Sequence, residues 1–594
     1  MRRFRASLAA AAIASMLGSG AATAQFSTTY IFGDSLSDAG QYGGRFTTNP
    51  GLSFPMYLAE RYGLAVVPSF QGGNDFAQGG ARLNAPAAIP PNFPNFTITQ
   101  QVQNFIAAGH VDPNALYQLN GGANDVRALA TQFLSGQIDQ NQLQGGVVQT
   151  ATSLGTLAAA LQAAGARYVV VYGLPDVGLT PEAAAAHAQS SLTALSNLFN
   201  STLAAAGANV IQVNQAQLLR EVVANPAAFG FTNVTIPVCT VPSALNCTPS
   251  TLRDPNGNLT YAFADSIHPT TGLAIIAAQQ AASLIEAPGK IGMLAEAPLN
   301  VEQAAFRSID ARMIGAVGAP RATNKFDAWV SYDYGHRDTN GPFVNGDSDG
   351  NTIAVGGDIK LTSQLLVGIA FNYTEDKQDF GGGTGGFKLR ETMATAYAGY
   401  GNGPWWVGAT LGAGNLDYND VHRDITLGAL TRRESGRTTG SHIDASVLGG
   451  YWFSAGTLLH GPYVRLLWQD ITVHGFSENA SDSTALAFSE QKRKSFITSA
   501  GWQATGQLGA VRPFARVTWE FEGKDDDRSV SATPFGLSTT YSMPVVKPDD
   551  NYVRYLIGGA MDFARVTGYV TAEGTSGRSD GNGYAITVGV RVPL

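Results

Sequence analysis

Residues 30 to 40 read Tyr-Ile-Phe-Gly-Asp-Ser-Leu-Ser-Asp-Ala-Gly. An apolar β-type run breaks at Gly33 and delivers Ser35 at a strand's carboxyl end. In open α/β sheets ligands collect there, and a sharp strand-to-helix turn exposes a serine hydroxyl with backbone N–H groups beside it. The chemistry on offer is nucleophilic attack on a carbonyl. Asp and Ser are also favoured in turns and caps for purely structural reasons, so this stretch alone is compatible with both readings.

An activated serine needs a general base and an acid to orient that base. Three histidines precede residue 325: His110, His187 and His268. His187 lies in an alanine-rich helical stretch and reads as a solvated helix residue. His110 follows Gly109 at a helix end, where a histidine is favourable for the dipole. Asp265-Ser266-Ile267-His268-Pro269 instead places a carboxylate three residues before an imidazole, just ahead of a helix, so both can face one side of a tight loop. Donors for an oxyanion come from two glycine-rich turns. Asn124, in Gly121-Gly122-Ala123-Asn124-Asp125, has an amide that can donate to a developing charge, and Gly80, in Gln78-Gly79-Gly80-Ala81, lets a backbone N–H approach closely. Taken singly, each is also an ordinary turn residue.

The elements that must position these groups alternate. Short apolar runs at Thr29 to Phe32, Ala115 to Leu119, Tyr168 to Tyr172 and Val210 to Val213 predict strands. Helical spacing marks Phe54 to Tyr62, Gln100 to Ala108, Leu143 to Ala164 and Glu182 to Ala206. Near-continuous apolar strands such as Tyr-Val-Val-Val-Tyr suit burial on both faces, which predicts a mostly parallel sheet in a three-layer α/β/α domain. A segment from Phe231 to Ala264, rich in Pro and Asn, interrupts the rhythm and carries both cysteines, Cys239 and Cys247. For an exported chain these are expected to form one local disulfide. Pro269 then opens a helix carried by Leu273 to Ile285.

Export follows from the amino terminus, where Met-Arg-Arg-Phe-Arg, an apolar run and Ala22-Thr23-Ala24 have the order of a secretory signal peptide. With 37 Lys+Arg against 45 Asp+Glu the net charge is −8, with no basic block, so nucleic-acid binding has no electrostatic support. Beyond Pro288 and Pro298 a helix is predicted over Val301 to Ile314; at about 1.5 Å per residue it spans about 21 Å. From Phe326 on, aromatic and polar residues alternate, as in Ile369-Ala370-Phe371-Asn372-Tyr373. About twelve such segments of about 9–13 residues, with aromatics near their ends, predict a 12-stranded transmembrane β-barrel rather than a soluble sandwich.

The four blocks Gly-Asp-Ser-Leu, Gly-Gly-Ala, Gly-x-Asn-Asp and late Asp-x-x-His, in that order, resemble the GDSL (SGNH) esterases and lipases, and with the barrel the chain resembles the autotransporter esterases of Gram-negative bacteria. The resemblance implies a flavodoxin-like fold, Ser35 as nucleophile and first oxyanion donor, Gly80 (by motif alignment, over Gly79) and Asn124 as further donors, His268 as base and Asp265 as its orienting acid. It also implies a helix through the barrel lumen, a site for the polar Glu302, Arg307, Asp310 and Arg312, which suit a hydrated environment. The expected organisation is a signal peptide over 1–24, an esterase passenger over 25–287, a linker with the lumenal helix over 288–324 and a barrel over 325–594. The expected protein is a monomer inserted by the barrel assembly machinery, needing no metal or cofactor. It would hydrolyse short- to medium-chain acyl esters or lipids at the cell surface. Acetylated polysaccharide, or a non-catalytic adhesin role, are the alternatives.

Overall fold

The computed structural model describes residues 25–86, 95–206, 209–316, 323–563 and 565–594. The expected signal peptide, residues 1–24, lies outside them. Four parallel strands, β1 (Thr29–Phe32), β2 (Leu116–Leu119), β3 (Tyr168–Tyr172) and β4 (Ile211–Val213), lie in sequence order, within a residue of the expected bounds. On the free side of β1 a parallel bridge pairs Ile31 with Asp75, where a flavodoxin-like sheet would carry a further strand.

The helices are α1 (Phe54–Arg61), α2 (Ile98–Ala107), α3 (Ala123–Leu134), α4 (Gln140–Ala163), α5 (Pro181–Ala185), α6 (Gln189–Ala206), α7 (Gln215–Ala224), α8 (Pro226–Phe229), α9 (Gly257–Thr260), α10 (Thr271–Ile291) and α11 (Ala297–Ala316). Successive strand residues point to opposite faces. Tyr117, Leu119, Val169 and Val171 meet α2, α4 and α6, whereas Leu116, Val170 and Tyr172 meet α1, α7 and α10, and the domain has the expected three layers. One expected helix is divided: Glu182 to Ala206 becomes α5 and α6, separated at His187, whose φ of +50° ends the first piece in the left-handed conformation. The helix α3, by contrast, starts within a glycine-rich stretch that reads as a turn, because Gly122 (φ +104°) precedes its first turn directly.

Among the described residues, twelve antiparallel strands from Phe326–Gly341 to Gly583–Pro593 form the second domain, and those two strands pair with each other to close the barrel. Its sidedness is inverted relative to a soluble protein. Ile353 and Phe371 are each 53% exposed while Thr352 and Asn372 are 2% exposed, so the apolar residues face outward and the polar ones inward, as a lipid surround requires. Trp405, Tyr451, Phe453 and Trp502 form a contiguous aromatic band at one end.

The two domains are joined through α10, which runs past the expected boundary at 287 and contains Pro288. Proline cannot donate to the carbonyl four residues back. That carbonyl, of Leu284, accepts from the Tyr541 hydroxyl instead (2.6 Å), and Leu294 O accepts from Tyr418 (2.5 Å). The lumenal helix α11 extends beyond the expected Val301 to Ile314. Its charges are buried and paired with the wall: Glu302 with Arg465, Arg307 with Asp333 and Glu573, Asp310 with Arg516, and Arg312 with Asp327 and Asp358. Removing one partner of a buried pair strands the other charge. Arg312→Met should therefore destabilise the barrel by about 3–5 kcal/mol, read as loss of the compact, heat-modifiable gel species at a lower temperature than wild type; an unchanged transition would show that the wall carboxylates do not need this partner.

Candidate functional site

The turn after β1 carries Ser35 at the floor of a cleft of about 1070 Å³, whose wall also includes Gly80, Asn124 and His268. Gly33 leaves no room for a side chain, since a Cβ there would lie 1.8 Å from Asn120 Oδ1. Both polar groups of its residue are gripped by Gln101: the N–H donates to Oε1 (2.9 Å) and the carbonyl accepts from Nε2 (3.0 Å). These contacts set the height at which the chain leaves the strand and turns toward Ser35.

His268 is brought to Ser35 from 233 residues away, its Nε2 lying 2.9 Å from Ser35 Oγ. On the other side of the ring Nδ1 donates to Asp265 Oδ2 (2.7 Å), with Oδ1 at 2.9 Å. The carboxylate also accepts from the N–H groups of Ile267 (3.0 Å) and His268 (2.8 Å). Burial alone would raise the Asp265 carboxyl, but the hydrogen bond and charge of His268 and these N–H groups outweigh it and hold it well below the usual carboxylate range. Asp265 thus presents a carboxylate to the Nδ1 side of the imidazole and holds the ring's orientation. The Phe46 ring packs against His268, with centroids 5.1 Å apart.

Of the two adjacent glycines, Gly79 has its N–H committed to Asp38 Oδ2 (2.8 Å), while Gly80, at φ +78°, is the one in the cleft wall. Asn124 occupies the first turn of α3 rather than a free turn. Its Nδ2 donates to Ala81 O (3.0 Å), which uses one of the two hydrogens an amide nitrogen carries, and the residue lines the cleft. Four residues spread over more than 230 positions of sequence thus converge on one opening, with Asp265 behind His268. Of the other two histidines, His187 lines the same cleft, whereas His110 lies beside Phe105.

Comparison with known proteins agrees domain by domain. Residues 30–280 match the model of the GDSL-like lipase/acylhydrolase family, and residues 328–573 that of the autotransporter beta-domain. Esterase EstA of Pseudomonas aeruginosa is 30% identical over 92% of this chain and 92% of its own length. The chain belongs to the GDSL autotransporter esterases. An uncharacterised Pseudomonas putida protein from a trpE-trpG intergenic region is 32% identical over 86% of this chain and 91% of that one. Among solved structures the translocator domain of the autotransporter NalP from Neisseria meningitidis superposes with a TM-score of 0.41 at 12% identity, covering 51% of this chain and 98% of that one. The esterase is an outer-membrane protein with its GDSL domain exposed at the cell surface.

Sequence reasoning assigned no role to the polar residues beneath this site. Asp34, Asp38, Asp75, Gln101 and Asn120 are all buried, and their partners are mostly backbone N–H groups, which leave no trace in spacing or residue type. Burial pushes the Asp38 carboxyl up to about 6 against the N–H groups of Gln41, Gly40 and Gly79 that favour its charge. The cysteines reach the site indirectly. Cys239 and Cys247 are bonded, and within the loop they close the Ala244 N–H donates to Asp265 Oδ2 at 2.7 Å. Closing so small a loop contributes about 2–3 kcal/mol on the entropic model. The double substitution Cys239→Ser, Cys247→Ser should therefore lower the melting temperature and also reduce kcat a few-fold where the domain is still folded, as Ala244 loosens from Asp265. A lowered melting point with kcat intact would separate the loop from the site.

Proposed function

We propose that the GDSL domain hydrolyses carboxylic esters through an acyl-enzyme on Ser35. The observation that carries this reading is the unbroken hydrogen-bond chain from Asp265 through His268 to the Ser35 hydroxyl, ending in an open cleft. His268 Nε2 takes the hydroxyl proton as Oγ attacks the ester carbonyl, and returns it to the leaving alcohol. Water then enters and attacks the acyl carbon as the same nitrogen takes its proton; the bond to Ser35 Oγ breaks, Oγ receives that proton from Nε2, and the acid leaves. The negative oxygen of each tetrahedral intermediate is met by the N–H groups of Ser35 and Gly80 and by the other amide hydrogen of Asn124.

The lining of the cleft, with Leu134, Leu192, Leu219, Phe263 and Leu273 among its side chains, favours acyl chains longer than acetyl, hence short- to medium-chain esters or lipids. The P. aeruginosa relative is named an esterase, and another relative, from Photorhabdus luminescens, a lipase. On this reading residues 1–24 direct export, the domain of residues 25–287 remains anchored through α10 and α11, and the chain acts as a monomer inserted by the barrel assembly machinery.

Ser35→Ala should leave surface exposure intact and reduce hydrolysis of a chromogenic ester panel on intact cells by several orders of magnitude; near-normal turnover would refute the nucleophile. Asn124→Ala tests the oxyanion site separately. Loss of one such donor costs about 10²–10³ in kcat with little change in KM, whereas loss of a residue that only tethers Ala81 would reduce stability by about 1 kcal/mol, read as a lower melting point, and spare kcat per folded molecule.

A further inference from the structure

We propose that Asp38 and Asp75 form a reciprocal clasp that sets the distance between the nucleophile loop and the oxyanion loop, making them positioning residues for the acyl-transfer step. The two carboxylates cross in opposite senses. Asp38, on the nucleophile loop, reaches to the oxyanion loop and accepts the Gly79 N–H at Oδ2 (2.8 Å), while its Oδ1 accepts from Gly40 (2.8 Å) and Gln41 (2.7 Å) in its own loop. Asp75, at the start of the oxyanion loop, reaches back to accept the Ala39 N–H at Oδ2 (2.5 Å), while its Oδ1 accepts from Ala77 (2.8 Å). Gln41 adds a third tie, its Nε2 donating to the carbonyls of Asp75 (2.7 Å) and Ala77 (3.3 Å).

Both carboxyl groups are fully buried. Burying two carboxylates side by side is costly, and hydrophobic residues of similar volume would serve a purely structural role at least as well. What the carboxylates supply is direction, because each accepts N–H groups from both loops. The segments so held flank the reacting centre: Ser35 lies three residues before Asp38, and Gly80 follows Gly79 directly. Gly79 also has no space for adjustment, since a Cβ there would lie 2.3 Å from the Phe46 ring that packs on His268. A shift of the Gly79 peptide therefore moves the Gly80 N–H relative to Ser35. A misplacement of about 1 Å is enough to cost about 10²-fold in rate.

This proposal rests on the reading of Ser35 and Gly80 given above, and its experiment keeps the two apart. In the full-length enzyme, Asp38→Asn preserves the side chain's shape and an acceptor for Gly40 and Gln41 but turns an NH2 group toward the Gly79 N–H. The expected result is a fall in kcat of about 10–10²-fold with KM within about twofold, and an equal slowing of inactivation by paraoxon, whose phosphoryl oxygen needs the same donors. Should Asp38→Asn fail to accumulate folded, Asp75→Asn carries the same expectation through Ala39. A kcat per folded molecule equal to wild type, or a loss that appears in KM alone, overturns the clasp. Ser35→Ala activity, measured alongside, reports on the underlying reading: a dead Ser35→Ala with an unimpaired Asp38→Asn refutes the clasp and leaves the nucleophile standing.

Discussion

The constraint on which the rest of this structure depends is that one polypeptide must cross a closed barrel and still hold a soluble domain outside it. A barrel that pairs its first strand with its last leaves no backbone group unsatisfied toward lipid, so the only passage for the connecting chain is the lumen. A helix is the natural form there because it satisfies its own backbone. The side chains of α11 then decide how firmly it sits, and its buried charges each meet an opposite charge on the wall. Arg465 and Arg516 add contacts over the rings of Phe306 and Tyr463, at 3.4 and 3.7 Å.

That anchoring extends to the candidate active site by a short route. His268 precedes α10 by three residues, Thr270 caps the helix by accepting from the Leu273 N–H, and the Leu284 carbonyl near the far end of the same helix accepts from Tyr541 of the barrel domain. Arg423, almost fully buried, pairs with Glu478 and donates to the Ser283 carbonyl of α10. A further contact, Glu221 of α7 with Arg432, holds the domain from a second direction. The proposed base is therefore carried at the head of an element whose far end is embedded in the barrel.

Much of the site's logic was legible in the sequence because the groups that do the chemistry are few in kind. A serine after a strand, an Asp-x-x-His before a helix and two glycine-rich turns are local patterns. The four strands of the GDSL domain were equally legible, since strands buried on both faces are written as short apolar runs, and barrel strands as alternation. Element ends and breaks were less so. The division at His187, the start of α3 at Gly122 and the passage of α10 through Pro288 all turn on backbone conformation or on a tertiary hydrogen bond that replaces a missing one, as Tyr541 does for Leu284.

By itself the sequence determined the fold class of each half, the side of the barrel strands that faces lipid, and the residue types at Ser35, Asp265, His268, Gly80 and Asn124, because periodicity and chemical identity are properties of the chain. Only the tertiary structure decided that Ser35 and His268, 233 residues apart, meet at 2.9 Å, that Gly80 rather than Gly79 lines the cleft, and which wall residues the charges of α11 pair with. The physical reason is the same in each case: hydrogen bonds to backbone N–H groups and buried ion pairs join positions that have no fixed spacing in sequence, so their partners exist only once the chain has folded.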